Sequence, residues 1–463
     1  MITFRDHLRI LDANEDLLTV AEHVHWDEET AAVAVEALKH DCKGLQFTST
    51  SGEVDLASGI YAGHAQISSR THQPWRRLKK ALDREGDDYV QLLEAVSRRN
   101  TRAPDDIILE EPAATIKSSS NPASLGLPTV EPNGRQQITL GLIAVEHEGM
   151  TSWAPVRGAI HRRSQLRLSV PQPFIEWCGD NRQASISLGI AAAPLVTALQ
   201  GWTLDRTTSA VPKLAAALGE TAVVDIDGRT VPADAEVRLD GSIIDVNDGV
   251  SGPIAVWERG CETVGVTVEV DAIATREDPV VPFIPLGAPL TDDLHLTALV
   301  EAAELYRRIN GYWGVSPVSW IRLPVEGRLG LCLVSSEILY SGFEWQLANV
   351  LFSFSDFFDK VLILDEHTEP DDLARALDDM WVKAHPSNDW IFSDPNAPAA
   401  SIPRYRRDGQ TGSRLYINAT WDPQWDEEYI APRVTFENSY PEDVRELSLE
   451  KWDNLDLKEK SND

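Results

Sequence analysis

Apolar residues recur with helical spacing near the amino terminus. In FRDHLRILDANEDLL, Phe4, Leu8 and Leu11 share one face, and acidic residues occupy the opposite face. ETAAVAVEALKH and PWRRLKKALDREGDDYVQLLEAVSRR also have helical patterns, and the run GLQFTST between them predicts a short strand. Because helical and extended patterns alternate, residues 1–100 are predicted to form an α/β domain.

The pattern changes twice in the middle of the chain. Residues 101–134 are rich in Pro, Ser and Asn and show little periodicity, which predicts a linker. Residues 135–288 contain short runs rich in Val and Ile that turn residues separate, such as ITLGLIAVEHEG, SQLRLSV and TVGVTVEVDAIA. Repeated short strands of this kind predict a β-barrel or a sandwich, interrupted by one helical insert, VPKLAAALGE.

Residues 289–463 return to a mixed pattern and are predicted to form a second α/β domain. HLTALVEAAELYRRI predicts an amphipathic helix, and KVLILD predicts a buried strand that ends in Asp365. In EPDDLARALDDMWVKAHP, Pro370 stands where a helix is expected to begin and Pro386 where it ends. The tail from Asp422 to Asp463 is acidic but rich in aromatic residues, so we expect it to dock on the protein or mediate oligomerisation.

Charge and composition narrow the range of partners. Hydrophobic residues make up 43% and charged residues 25% of the 463 positions, which is typical of a globular protein with two or three domains. The formal charge of −31 would repel phosphate backbones and anionic lipids, so neither a nucleic acid nor a membrane is expected as a partner. No run approaches the roughly eighteen apolar residues of a membrane-spanning helix, and the acidic start does not resemble a signal peptide. A cytoplasmic protein is therefore expected.

Short motifs reveal little chemistry. The four cysteines, at positions 42, 178, 261 and 332, form no C-x-x-C pair, which favours buried thiols over a zinc site or disulfides. HVHWDEE, at residues 23–29, superficially resembles a metal cluster, but its two histidines would lie on different faces, so a surface segment is preferred. His147 in AVEHEG is likewise interpreted as a surface residue. Asp365 ends a strand where α/β sheets carry functional groups, although a turn or helix-capping role is favoured.

The order of several longer segments resembles the UbiD family of decarboxylases. The first helix, FRDHLRILDANEDLL, and the segment LPTVEPNGRQQITLGLIAV are similar to the family's start and to its first barrel strand. TSWAPVRGAIHRRSQLRLSVPQP resembles N-W-S-x-x-R followed by P-Q-H, and VPADAEVRLDGSI resembles P-A-x-x-E-I-V-L-E-G. ATREDPVVPFIPLGAP resembles the H-R-x-D-P-I segment, and KVLILDEHTEPDDLARALDDMWVKAHP and GSRLYINAT resemble the carboxy-terminal domain.

This resemblance implies a fold, a reaction and a set of cofactors. The fold is an amino-terminal α/β domain, a central split β-barrel of the flavin-binding kind and a carboxy-terminal α/β domain. The reaction is the reversible, non-oxidative decarboxylation of an unsaturated or aromatic acid by prenylated FMN, held with Mn²⁺ and K⁺. A small carboxylic acid is the implied substrate, and a homodimer or larger oligomer is the implied assembly.

The family's functional positions are only partly retained. The resemblance assigns substrate binding to Arg157, metal binding to Glu236 and cofactor contacts to Trp153, Gln172 and Lys360. Four positions depart from the pattern. The metal-binding Asn and His are replaced by Ser152 and Pro173, and two catalytic Glu positions hold Ser251 and Val256.

Three hypotheses follow from these departures. In the first, Glu258 replaces the missing proton donor, Asp248 replaces its partner carboxylate, and Glu236 holds the metal with the hydroxyl of Ser152. In the second, the chain has lost catalysis and serves as a partner subunit of an active UbiD homologue. In the third, the flavin pocket binds a different ligand. A surface salt bridge is the alternative role for Arg157.

Overall fold

The computed structural model describes most of the chain. The described ranges are 2–27, 29–40, 43–63, 73–97, 108–109, 111–117, 120–130, 134–203, 218, 222–247, 263–285, 290–393, 413–421 and 436–453. Contacts divide the chain into two compact units, Met1–Thr420 and Trp421–Asp463. The larger unit contains the predicted ranges 1–100, 101–134 and 135–288 and the part of 289–463 that precedes Trp421, so the exact domain boundaries stay a prediction.

The amino-terminal region mixes helices and strands, as the sequence predicts. Its elements are α1 (Phe4–Ala13), β1 (Leu17–Val20), α2 (Thr30–His40), β2 (Gly44–Phe47), β3 (Asp55–Ser58), α3 (Arg76–Ala81) and α4 (Tyr89–Ser97). Phe4, Leu8 and Leu11 of α1 are buried, which confirms the predicted apolar face. Thr3 and Asp6 form a capping box that fixes where α1 begins, because each side chain accepts a backbone N–H of the other residue.

The predicted linker contributes to the folded core. It contains β4 (Ile108–Leu109), β5 (Thr115–Lys117) and a 3-10 turn at Pro122–Leu125. β5 pairs with a later barrel strand, and Leu125, Leu127 and Val130 are buried. A segment without periodicity can still be ordered, because its strands are too short to show a pattern and its partners are distant in sequence.

The central region forms a closed six-stranded antiparallel barrel. Its strands are β6 (Gln137–His147), β7 (Met150–Arg162), β8 (Gln165–Pro171), β9 (Gln183–Leu188), β12 (Val237–Asn247) and β13 (Thr263–Thr275). Their order is β12-β9-β6-β7-β8-β13, and pairing of β12 with β13 closes the barrel. Alternate Val, Ile, Leu and Ala side chains from all six strands fill the interior. The barrel alternative of the sequence prediction is thereby confirmed.

Smaller elements surround the barrel. They are α5 (Gln172–Cys178), α6 (Ala192–Thr203), the hairpin of β10 (Ala222–Ile226) with β11 (Arg229–Pro232), and β14 (Val280–Pro282). β14 joins the amino-terminal sheet in the order β1-β2-β3-β14. The predicted helical insert VPKLAAALGE lies outside the described residues except for Leu218.

The carboxy-terminal region is a mixed five-stranded sheet with helices. Its elements are α7 (Asp292–Tyr312), β15 (Val318–Arg322), β16 (Leu331–Ser336), α8 (Phe343–Phe354), β17 (Lys360–Asp365), α9 (Leu373–Lys383), β18 (Trp390–Phe392) and β19 (Leu415–Ala419). The sheet order is β15-β16-β17-β19-β18, which confirms an α/β region. α9 begins at Leu373 and not at Pro370, because the side chain of Asp372 caps the helix by accepting the N–H of Arg375.

The second unit, Trp421–Asp463, contains α10 (Phe436–Ser439) and α11 (Glu442–Asp453) among its described residues. Val444, Leu447 and Trp452 on α11 are exposed. The oligomerisation role of this tail stays a prediction. Over the described ranges, every helix is too short or too polar to cross a membrane.

Candidate functional site

Arg157 lies on the outer face of the barrel. Ala154 and Val156 of β7 point into the barrel interior, so Trp153 and Arg157, at alternate positions, point outward. Arg157 is nevertheless only 6% exposed. The alternative of a surface salt bridge does not fit this burial. A buried guanidinium keeps its charge and strongly favours an anionic partner.

Four strands carry one row of residues on this outer face. Arg157 pairs with Ser169 of β8, Ser169 pairs with Gly265 of β13, and Gly265 pairs with Asn247 of β12. We call these four residues the Arg157 row. Neighbouring strands lie about 4.8 Å apart, so the row extends roughly 14 Å. Gly265 is buried and, without a side chain, adds no bulk to the row beside Ser169.

The row also marks where the segment of residues 248–262 joins the barrel. β12 ends at Asn247, a member of the row, and β13 begins at Thr263, two residues before Gly265. The predicted catalytic residues Asp248 and Glu258, together with Ser251 and Val256, belong to this segment and lie outside the described residues. The register therefore brings both ends of their segment to the row that begins at Arg157.

A buried hydrogen-bond network covers the neighbouring part of the outer face. The hydroxyl of Ser185 donates to Asp240 at 2.7 Å, and Arg229 donates to the oxygen of Ser185 at 3.1 Å. Arg238 donates from Nε to the Asp240 carboxylate at 2.9 Å. Asp240 thus pairs with Arg238 directly and with Arg229 through Ser185, and Arg229 also forms an ion pair with Asp227 at 3.6 Å.

Glu236 lies immediately before β12 and is completely buried. Arg5 donates to both of its carboxylate oxygens at 2.8 Å, and Arg276 donates to Oε1 at 3.2 Å. Sequence reasoning missed both arginines because they are distant in sequence and belong to no motif quoted for this site. Their contacts place a predicted metal ligand inside an ion-pair cluster.

Ser152 and Trp153 point to opposite sides of β7. Ser152 shares the interior side with Ala154, and its buried hydroxyl has no hydrogen-bond partner within the described ranges. Trp153 packs in the core outside the barrel, and its indole N–H donates to the carbonyl of Thr230 at 2.8 Å. That N–H is therefore already engaged and is not available to a cofactor.

Gln172 and Lys360 lie in other elements. Gln172 begins α5 and donates to Glu176 at 2.9 Å. Lys360 begins β17 of the carboxy-terminal sheet and forms an ion pair with Asp359 at 2.6 Å. Neither element belongs to the four strands of the Arg157 row, and the cofactor contacts of Gln172 and Lys360 stay predictions.

The other motifs have structural partners. The backbone N–H of His25 donates to Glu29 at 2.9 Å and its ring contacts Asp27, so HVHWDEE forms the turn before α2. Asp365 pairs with buried Lys383 and thereby ties the end of β17 to α9. Across the described ranges, no group of three or more His, Cys, Asp or Glu residues could hold a metal ion.

A buried carboxylate that sequence reasoning missed stabilises the loop after β3. Asp292, the first residue of α7, accepts the backbone N–H groups of Gly59, Ile60, Tyr61 and Ala62 at 2.7–3.2 Å. Burial raises the pKa of Asp292 to about 6, although the four N–H donors favour its charged form. The Asp292 carboxylate therefore stabilises the turned backbone of residues 59–62, although burial of its charge is unfavourable.

Comparison with a family model agrees with this architecture. Residues 294–419 match the carboxy-terminal domain of 3-octaprenyl-4-hydroxybenzoate carboxy-lyase, the UbiD carboxy-terminal domain. This range includes most of α7 and the whole five-stranded sheet. Residues 294–419 therefore belong to the UbiD carboxy-terminal domain family.

Two curated proteins are similar to part of this chain. A phenolic acid decarboxylase from Sedimentibacter hydroxybenzoicus is 25% identical over 252 residues, or 52% of each chain. A pyrrole-2-carboxylic acid decarboxylase from Pseudomonas aeruginosa is 20% identical over 312 residues, which cover 63% of this chain and 60% of the relative. The chain thus matches only about half to three fifths of these relatives' lengths.

Solved structures share the fold over nearly the whole chain. The UbiD-class enzyme HmfF from Pelotomaculum thermopropionicum, in complex with FMN, has a TM-score of 0.76 at 20% identity, covering 94% of this chain and 97% of its own. Vanillic acid decarboxylase ShVdcCD from Sedimentibacter hydroxybenzoicus has a TM-score of 0.76 at 18% identity, covering 98% and 99%. An evolved dimeric HmfF with prFMN has a TM-score of 0.72 at 18% identity, covering 94% and 97%.

The cofactors implied by the family differ in how well the described residues suit them. The residues offered for Mn²⁺ do not fit, because Glu236 is occupied by two arginines and Ser152 lies elsewhere on the barrel. A flavin fits better, since Arg157 and Ser169 make this part of the outer face polar and Gly265 adds no side chain to it. The K⁺ ion stays a prediction.

Proposed function

We propose that this UbiD chain carries out reversible, non-oxidative decarboxylation of an aromatic or otherwise unsaturated carboxylic acid. The observation that carries the proposal is the Arg157 row, which begins at a buried guanidinium and ends where the segment of residues 248–262 departs. A guanidinium binds a carboxylate through two parallel hydrogen bonds, which fixes its orientation as well as its position. The activities named for the two curated relatives support this substrate class.

The proposed chemistry requires an anion site, an electron sink and a proton. When carbon dioxide leaves a carboxylate, the bonding electron pair stays on the carbon that carried it, and a proton must then reach that carbon. Arg157 orients the carboxylate, Glu258 donates the proton, and Asp248 adjusts the pKa of Glu258. Prenylated FMN supplies the electron sink when it is bound. No step depends on a divalent metal at Glu236.

The proposal is tested by co-expressing the chain with a flavin prenyltransferase and supplying conjugated acids, such as phenolic acids and pyrrole-2-carboxylate. We expect carbon dioxide release in step with formation of the protonated product. In deuterated water, one deuterium should enter at the carbon that loses the carboxylate. Absence of both signals for every acid, with flavin bound, would contradict the proposal.

A second candidate function is a partner subunit without catalysis of its own. Two observations favour it, namely Ser251 and Val256 at the family's catalytic Glu positions and the ion-paired state of Glu236. This candidate predicts that the purified chain carries little prenylated flavin and co-purifies from its host with a UbiD homologue that has an intact E-G-P-x-G-E. Recovery of one modified flavin per chain would exclude it.

A further inference from the structure

Every acceptor position of the Glu236 carboxylate is taken by a donor of the protein. Oε1 accepts from Arg5 Nε at 2.8 Å and from Arg276 Nη1 at 3.2 Å. Oε2 accepts from Arg5 Nη2 at 2.8 Å and from the backbone N–H of Val280 at 3.1 Å. A carboxylate offers about four lone-pair positions, so none is left for a metal ion. We call these four residues the Glu236 clamp.

Charge and space also exclude a cation at this position. Arg5 and Arg276 already place two positive charges on the carboxylate, and a divalent ion would be repelled by both. The opposite side is closed by Gly189, whose φ is +64°, and a Cβ atom there would lie 2.6 Å from Glu236 Cγ. The backbone at Gly189 thus already contacts the side chain of Glu236.

The second residue offered for the metal lies far from the clamp. Ser152 pairs with Val145, and Val145 pairs with Ala184 of β9. By contrast, Val237, which follows Glu236, pairs with Leu188 at the other end of β9. The four residue steps from Ala184 to Leu188 correspond to about 13 Å along the strand, too far for both side chains to bind one ion.

The clamp joins the first helix of the chain to the barrel. Arg5 belongs to α1, and its Nη2 also donates to the carbonyls of Glu277 and Asp278 at 2.7 and 3.0 Å. Two residues before Glu236, Asp234 accepts the N–H groups of Phe4 and Ala191 at 3.2 and 3.0 Å. The segment around Glu236, which resembles a metal-binding motif, thus binds the amino-terminal end of α1.

We propose that Glu236 is a structural anchor for α1 and that this chain binds no divalent metal through it. Glu236 and Arg5 stabilise each other, since removing either one leaves the other charge buried without its main partner. The inference concerns folding and metal binding only and is independent of whether the chain decarboxylates any acid.

The experiment compares Glu236→Gln, Arg5→Met and a control, Arg9→Met, using MnCl₂ as the probe. Arg9 lies on the same helix as Arg5, but its side chain is 75% exposed, and among the described residues its one ion pair is with Asp6. We expect Glu236→Gln and Arg5→Met to lower the melting temperature by roughly 5 °C or more, and Arg9→Met by about a degree at most. Mn²⁺ titrations should be the same for the wild-type protein and all variants, and EDTA should leave the wild-type melting temperature unchanged.

Two results would overturn the inference. One is stoichiometric Mn²⁺ on the wild-type protein that Glu236→Gln weakens tenfold or more. The other is an Arg5→Met protein as stable as Arg9→Met. If Glu236→Gln does not fold, the EDTA and Mn²⁺ measurements on the wild-type protein and the stability of Arg5→Met decide the question.

Discussion

Arg157 and Ser169 stand opposite each other across β7 and β8 on the outer face of the barrel, and each is only 6% exposed. A guanidinium of this kind, beside a hydroxyl and a glycine, is suited to bind a carboxylate and a flat ring together. The same row ends where the segment with Asp248 and Glu258 leaves the barrel. This geometric relationship is the basis of the functional proposal.

Replacing Arg157 tests the anion site. Arg157→Gln should lower kcat/KM for the best acid by at least about thirty-fold, because losing one partner of a buried charge pair costs ~2–5 kcal/mol. Arg167→Gln is the matched control, since Arg167 lies on β8 two residues before Ser169 and is exposed. Steady-state kinetics on both proteins provide the comparison. Equal losses in the two variants would argue against a specific role for Arg157.

Replacing Glu258 tests the proton donor. Glu258→Gln should lower kcat by about 10²–10⁴-fold and leave KM nearly unchanged, because a general acid acts in the transition state. Glu262→Gln, in the same segment, should retain activity. If Glu258→Gln has wild-type kcat and Asp248→Asn does not, the two proposed roles are reversed. If neither variant changes kcat, the proton comes from elsewhere.

The buried carboxyl of Glu301 should make the free energy of unfolding depend on pH. Burial raises the pKa of this α7 carboxyl from 4.5 to about 7, so the folded state retains a proton that the unfolded state releases. Glu301 therefore makes its full contribution to the free energy of unfolding below about pH 4.5. This contribution, ~3 kcal/mol, is lost as the pH rises to about 7. Glu301→Gln should therefore be more stable than the wild-type protein at pH 8 and differ less at pH 5.

Urea unfolding of the wild-type protein and Glu301→Gln at the two pH values measures this difference. Glu85→Gln is the control, because Glu85 is exposed and its replacement should not change the pH dependence. A Glu301→Gln protein that loses stability equally at both pH values would show that the carboxyl is charged in the folded state.

Replacing the carboxylate of Asp292 with an amide tests how strongly this residue stabilises the loop after β3. Asp292→Asn should reduce the free energy of unfolding by about 2–4 kcal/mol, because an amide has one acceptor oxygen and turns an NH₂ group toward N–H donors. Asp12→Asn makes the same chemical change at an exposed position on α1 and should be nearly neutral. Similar melting temperatures for the two variants would contradict the anchoring role of Asp292.

The sequence predicted the barrel well because each strand carries its own alternation. β6, β7, β8 and β13 are long runs rich in Val, Ile and Leu, and their inward residues form one core. β17 was equally clear, since KVLILD is short, apolar and ends in an acid. Local patterns predicted the same three-part order of domains that the resemblance to the family implies.

The sequence could not predict contacts between distant residues. Arg5 and Glu236 are 231 positions apart, so the motif around Glu236 was interpreted as a metal ligand without its true partner. Ser169 carries no motif and is recognised only from its register opposite Arg157. On α9, Leu377 and Trp381 belong to the predicted apolar stripe but remain 42% and 85% exposed. Periodicity describes a helix face, but burial depends on what packs against that face.

The most direct test is carbon dioxide release from conjugated acids by the chain co-expressed with a flavin prenyltransferase, measured beside Arg157→Gln and Arg167→Gln. The account predicts turnover by the wild-type protein and by Arg167→Gln and a loss of at least about thirty-fold in Arg157→Gln. Turnover that Arg157→Gln leaves unchanged, or a flavin-loaded protein that releases no carbon dioxide from any acid, would contradict it.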